Sequence, residues 1–194
     1  MIGNDIVDLK EASLKSNWER PGFLKKIFST KEQILIKNAD QPFEMVWRMW
    51  SMKESAYKLY FQKNPLATRG FYPCKIKTKI LTHEKGQVFL EKEKFLTRTQ
   101  TQPSYIFTTA FSDPNILNEN GIFYLPKKNY QFQSYFIRQK LFGHIAKQKQ
   151  FKQEELELRN GKNHIPKLYY RAKLLPLKCS LTHHGNYGGF SISL

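Results

Sequence analysis

Between Phe43 and Gln62 the chain carries Val46, Trp47, Met49, Trp50, Met52, Ala56, Tyr57, Leu59, Tyr60 and Phe61. On a helix these apolar residues occupy nearly every direction, so no polar stripe of ordinary width remains. A helix that is apolar all round is buried, and the rest of the chain must be wrapped around it. Two consecutive charges, Lys53 and Glu54, stand in its middle. They point about 100° apart, too far for one narrow polar face to hold both. A structural reading pairs Glu54 with Lys58 at i,i+4 in the favourable order, which stabilises a helix by about 0.2–0.5 kcal/mol. A chemical reading notes that a lone carboxylate in such a setting suits magnesium, which takes few protein oxygens and completes its shell with phosphate and water.

A second carboxylate lies near the start of the chain. IGNDIVDL (2–9) reads as a strand whose period of two puts Gly3, Asp5, Val7 and Leu9 on one face. Asp5 then projects among apolar neighbours, beside a glycine that lets a ligand approach the backbone. Asp8 fits an N-cap with Glu11 at N3, and STKE (29–32) carries the same capping pattern for Ser29 and Glu32. Near the other end, CSLTHHGNYGG (179–189) reads as a strand closing on His183 and His184 before a glycine-rich turn. Adjacent residues of a strand face opposite ways, so the two histidines do not form a metal pair. A histidine at a strand end in a basic chain suits phosphate. No Walker loop, G-x-G-x-x-G or G-x-S-x-G segment is present.

The segments between these sites alternate in type. Helical material runs to about residue 61, with breaks at Pro21-Gly22 and Asp40-Gln41-Pro42. Three runs between Cys74 and Phe111 predict a small antiparallel sheet, and residues 112–121 predict a loop. A second round follows: a strand IFYLP, a helix over 130–149, and short strands near EELELRN, KLYYRAK, LKCSLTH and GFSISL. This order predicts an α+β protein, with one lobe over 1–112 and another over 113–194 in one compact domain.

Thirty-two Lys and Arg against sixteen Asp and Glu give a net charge of +16, which attracts anionic partners. A phosphate-rich cofactor, an acidic protein and nucleic acid all fit that charge. Cys74 and Cys179 have no ligand-like spacing, and no apolar run approaches the roughly 20 residues of a membrane span. The expectation is a soluble cytoplasmic protein with free thiols. A basic nucleic-acid-binding module without catalysis is the alternative, and it would be indifferent to loss of Asp5 or Glu54.

In order along the chain, IGNDIVDL, FLKKIFSTKEQ, WSMKESAYK and SLTHHGNYGGFSISL resemble the 4′-phosphopantetheinyl transferase superfamily. The motif order is that of holo-acyl-carrier-protein synthases, and the length is similar to the two-lobe surfactin-type enzymes. The resemblance implies two pseudo-symmetric lobes, each a small antiparallel sheet packed on a long helix, in a monomeric pseudo-dimer. It implies transfer of the 4′-phosphopantetheine group of coenzyme A to a serine of an acidic acyl or peptidyl carrier protein, releasing adenosine 3′,5′-bisphosphate. The pathway would be fatty-acid, polyketide or nonribosomal peptide synthesis, and nucleic acid would not be the partner. Asp5 and Glu54 match Mg²⁺ ligands, Lys53 a group beside the reacting phosphate, and Lys58 and His183 groups on coenzyme A phosphates. Glu54, or a water that it orients, would be the base, and Glu32 matches the Phe-Ser/Thr-x-x-Glu signature. Two positions depart from the pattern. Val7 stands where the longer enzymes carry a third carboxylate, and RNGKNHIPK (159–167) echoes the family's Asn-x-x-Gly-x-Pro segment with His164 near the glycine position.

Overall fold

Residues Ile2–Asp8 form strand β1, and all of them are buried. A strand closed on both faces needs cover on each side. The computed structural model, which describes residues 1–68 and 70–193, sets β1 at the edge of an antiparallel sheet and against the second half of the chain. The fold is mixed α+β, as the sequence predicts.

The helices stop and start where the sequence breaks. Helix α1 (Leu9–Lys15) begins on Asp8, whose side chain accepts from the Glu11 N–H. Glu11 does not return the bond; its carboxylate pairs with Lys15 and Lys128 instead. Helix α2 (Phe23–Ile27) follows Gly22, and α3 (Thr30–Lys37) opens on a complete capping box from Ser29 and Glu32. Helix α4 (Pro42–Lys63) starts with proline in its first turn, where the absent N–H is not needed. It buries Val46, Met49, Met52, Ala56 and Leu59 completely.

Contact between α4 and β1 is close enough to require glycine at position 3. A Cβ there would collide with the Ser55 carbonyl oxygen and lie 2.8 Å from the Leu59 backbone nitrogen. Gly3→Ala is therefore expected to lower stability by at least about 1–3 kcal/mol, the usual cost of overpacking, because backbone rather than a mobile side chain must move. Thermal unfolding checks this; a variant that melts with the wild type would mean that α4 is not seated there.

Strands β2 (Lys77–Ile80), β3 (Lys85–Leu90), β4 (Glu93–Thr101) and β5 (Tyr105–Phe111) complete the first sheet in the order β1-β5-β4-β3-β2. β4 is not among the three runs that the sequence singles out. Its inward positions are Phe95, Thr97 and Thr99, so two threonines stand where apolar residues would have signalled a strand. Thr99 is tolerated because its hydroxyl pairs across the sheet, meeting that of Thr108 at 3.1 Å; among the described residues the Thr97 hydroxyl has no such partner.

In the second half, β6 (Asn118–Tyr124) begins at Asn118 rather than Ile122, which shortens the expected loop. The reason is long-range pairing: Asn118, Glu119 and Asn120 lie opposite Ser193, Ile192 and Ser191 of β11 (Tyr187–Ser193). Helix α5 (Tyr130–Lys149) has the expected span. The remaining strands separate into β7 (Leu156–Asn160), β8 (Pro166–Tyr170) and β9 (Lys173–Leu174) in one sheet, and β10 (Lys178–His184), β11 and β6 in another. The last residue of the expected terminal strand, Leu194, lies outside the described residues. With five strands in one sheet against three and three among the described residues, the two halves are not strand-for-strand copies. Among the described residues, no helix is long and apolar enough to cross a membrane.

The halves meet at the outer edge of β1. Side chains of β10 close it: Ser180 Oγ accepts from the Asn4 N–H at 3.0 Å, Thr182 Oγ1 from Ile6 at 3.2 Å, and His184 Nδ1 from Asp8 at 3.0 Å. Gln62 Oε1 of α4 accepts from the Ile2 N–H at 3.2 Å. An unpaired edge is a liability in any sheet; here alternate side chains of a second strand seal it.

Candidate active site

The two adjacent charges of α4 go to opposite places. Lys53 is fully buried and reaches toward α2 and α3. Its ammonium donates to the Ile27 carbonyl at 2.8 Å, the Pro73 carbonyl at 2.9 Å and Glu32 Oε2 at 3.0 Å. Three acceptors around one nitrogen require three N–H bonds, so the group is charged although burial pulls its pKa below the ordinary lysine value. Burial alone would raise Glu32. The Lys53 ammonium and hydrogen bonds from Thr78 and Ser29 outweigh it, and Glu32 stays below the usual carboxylate range. Lys53, expected beside a reacting phosphate, gives all three N–H bonds to these acceptors and is not among the residues lining the cavity of Asp5 and Glu54.

Glu54 faces the cleft. With Asp5, Trp50, Lys58, His183 and His184 it lines a cavity of about 280 Å³. Burial and the charge of Asp5 push Glu54 up to about 7, against the opposing pull of Lys58. Asp5 is raised as well, chiefly by burial, although Lys58 Nζ lies 3.5 Å from its Oδ1 and Thr182 donates to that oxygen at 3.2 Å. Its other oxygen, Oδ2, is buried and meets no hydrogen-bond partner among the described residues. Lys58 pairs with Asp5 rather than with Glu54, and a second N–H goes to the Asn4 carbonyl at 2.8 Å. Among the described residues no third partner meets its ammonium, which lines the cleft. Among the described residues, no group of three or more His, Cys, Asp and Glu clusters as a ligand set.

A second cavity, also about 280 Å³, lies on the other side of Lys58 and His183, which line both. Tyr57, Arg138, Asn160 and His164 are among its walls. Burial, then Lys58 and His184, lower the His183 pKa, so its imidazole is neutral at pH 7. The ring of Tyr130 stands 5.3 Å from it, edge on. The RNGKNHIPK segment thus does reach the cleft. Asn163 and His164 both have left-handed backbone, φ 56° and 53°, which accounts for a glycine being the easier residue near there. Asn163 ties the segment to the turn after α4 by donating to the Pro65 and Ala67 carbonyls.

Asp5, Glu54, Lys58 and His183 are therefore brought together from β1, α4 and β10, while Lys53 and Glu32 form a separate interior pair. Thr182 and His184 were not singled out from the sequence as site residues. The signal was present in the alternation of SLTHH, which puts Ser180, Thr182 and His184 on the face opposite Leu181 and His183.

The arrangement defines a class: an α+β protein whose cleft sets two carboxyl groups of raised pKa beside an ammonium and two imidazoles. Residues 1–112, more than half of the chain, match the family model of the 4′-phosphopantetheinyl transferase superfamily, and the chain belongs to that superfamily. It is a transferase of the phosphopantetheinyl type, a family that uses coenzyme A as co-substrate and acts on carrier proteins. The match spans Asp5, Glu32, Lys53, Glu54 and Lys58 and stops before β10. Comparison with curated proteins finds no match.

Proposed function

We propose that the protein is a magnesium-dependent holo-carrier-protein synthase, acting as a two-lobe cytoplasmic monomer with lobes 1–112 and 113–194. It moves 4′-phosphopantetheine from coenzyme A to a serine of an acidic acyl or peptidyl carrier protein. The observation that carries this reading is the Asp5–Glu54 pair: two carboxyl groups facing one cavity, both held above their ordinary pKa, one with a buried oxygen that no partner among the described residues satisfies. Such a pair is relieved by a cation, so the residues fit Mg²⁺. Asp5 and Glu54 would hold it, with phosphate and water expected to complete its shell, since Val7 rather than a carboxylate follows on the same face of β1. When bound, the ion supplies neutralising charge on phosphoryl oxygens.

The chain's own groups do the rest. Lys58, whose ammonium meets no third partner among the described residues, and His183, on the ridge between the cavities, hold the coenzyme A phosphates. The cavity beyond them, with Tyr57 and Arg138, takes the adenosine bisphosphate end. The carrier serine comes from the side of Trp50 and Glu54. A bond forms between the serine oxygen and the phosphorus bearing pantetheine. The bond from that phosphorus to the bridging oxygen breaks, and the serine proton passes to Glu54, directly or through a water that it orients. Catalysis rests on position and charge, and the +16 net charge steers an acidic carrier.

Intact mass of apo carrier proteins incubated with the protein, coenzyme A and Mg²⁺ tests the reading. One added phosphopantetheine is expected, with a rate cut more than about 100-fold in Asp5→Ala and Glu54→Ala, beyond the loss typical of groups that only support a metal ligand. Chelation should abolish the gain. Modification at full rate in both variants would remove the carboxylate pair from the reaction.

A further inference from the structure

Ser180, Thr182 and His184 perform the same task for three successive N–H groups of the β1 edge. The first two do it with a hydroxyl each. A hydroxyl at position 184 would seal the Asp8 N–H equally well, so the edge does not explain an imidazole. What an imidazole adds is a second nitrogen on the far side of the ring, and that ring lines the cavity of Asp5, Glu54 and Lys58.

The state of that second nitrogen follows from the first. Because Nδ1 accepts from the Asp8 N–H at 3.0 Å, it carries no hydrogen, and a neutral ring must hold its proton on Nε2. Among the described residues no acceptor meets Nε2, and it is not one of the buried orphan atoms, so it opens on the cavity or solvent. The backbone on either side of that bond is also held. Asp8 Oδ1 accepts from Glu11 N at 3.0 Å and its Oδ2 from Asn186 N at 2.8 Å, which fastens the turn that follows His184. Gly185 in that turn has φ +58°, and a Cβ on it would stand 2.8 Å from Asp8 Cγ. The imidazole is thus a donor fixed in tautomer and in place before any ligand arrives.

We propose that His184 is a second imidazole of the transfer site, a neutral donor whose Nε2–H binds a non-bridging oxygen of the phosphoryl group being moved. The inference rests on the transferase reading above and adds a catalytic residue to it. His183 lines both cavities, whereas His184 lines only the one with the carboxylate pair. Of the two, His184 is therefore the one restricted to the side where the bond forms. A fixed donor aimed at developing phosphoryl charge has no reorganisation cost at the moment of reaction.

Two variants separate the two ring nitrogens. In His184→Asn the amide oxygen can take the place of Nδ1 and keep the bond from Asp8, but nothing replaces Nε2–H. In His184→Gln the amide nitrogen reaches the place of Nε2 and the edge bond is given up. Single-turnover transfer to a carrier that the wild type modifies, read by intact mass at saturating coenzyme A, is measured beside thermal unfolding. His184→Asn should melt as the wild type and transfer about 100-fold more slowly, the usual loss for one preorganised oxyanion donor. His184→Gln should melt lower yet recover about tenfold of that rate, the donor being restored in a more mobile side chain. A His184→Asn protein that transfers at the wild-type rate, or paired losses of rate and stability in both variants, would reduce His184 to an edge seal and overturn the proposal. A wild type that modifies no carrier would instead bring down the transferase reading, and this inference with it.

Discussion

Lys53→Met is expected to destabilise the protein by about 3–5 kcal/mol, the range for breaking a buried ion pair by removing one partner, out of a total near 5–15 kcal/mol. The methionine fills the space of the lysine stem and supplies no charge. Glu32 keeps its bonds from Ser29 and Thr78 but loses the cation beside it, and the Ile27 and Pro73 carbonyls lose their donor. Those partners come from the end of α2, from α3 and from the segment entering β2, so one ammonium ties three pieces of chain to α4. Urea unfolding gives the number. Stability equal to the wild type together with a large loss of transfer would instead place the lysine in the chemistry.

That pair also marks how far a sequence can be read. The helix 42–63 was legible because its apolar residues point every way, and the presence of two unlike charges in it was a question that the pattern could pose. Which charge faced the cleft was not legible. Lys53 and Glu54 differ by one residue, and the choice between them depends on where α2, α3 and β1 pack, contacts that bridge twenty to fifty positions. Asp5 was recoverable because alternation alone put it on the face of β1 with Gly3, and that face is the one α4 covers.

The failures have physical causes of the same kind. β4 went unseen because Thr97 and Thr99 occupy core positions where apolar residues would have marked a strand, and the Thr99 hydroxyl finds its partner, Thr108, only across the sheet. The start of β6 went unseen because Asn118, Glu119 and Asn120 are strand residues only by virtue of β11. Thr182 and His184 act on β1 across a separation of 176 residues or more. A local pattern could give their shared face but not what that face meets.

Glu54→Gln should do two opposite things, and the pairing is diagnostic. It should abolish transfer, and it should raise the melting temperature of the metal-free protein at pH 8 by at least about 3 °C, which for a chain of this size is about 1 kcal/mol. The sign follows from proton linkage. Glu54 sits at about 7 in the folded protein, pushed up by burial and by Asp5, against an ordinary value near 4.5 in the unfolded chain. Between those values the folded state binds the extra proton, so its contribution to stability falls as pH rises through the window and is fully lost above 7. Glutamine carries no charge and does not titrate. The melting difference between Glu54→Gln and the wild type should therefore be small near pH 4.5, grow toward pH 7 and level off beyond it. Mg²⁺ should erase much of the difference at pH 8 by stabilising the wild type, and should do far less for the variant. A difference that does not change with pH would mean that Glu54 is not held protonated by its neighbours. In that case the cleft would have no need of a cation to bring its two carboxylates together, and the reading of Asp5 and Glu54 as a metal pair would lose its electrostatic basis.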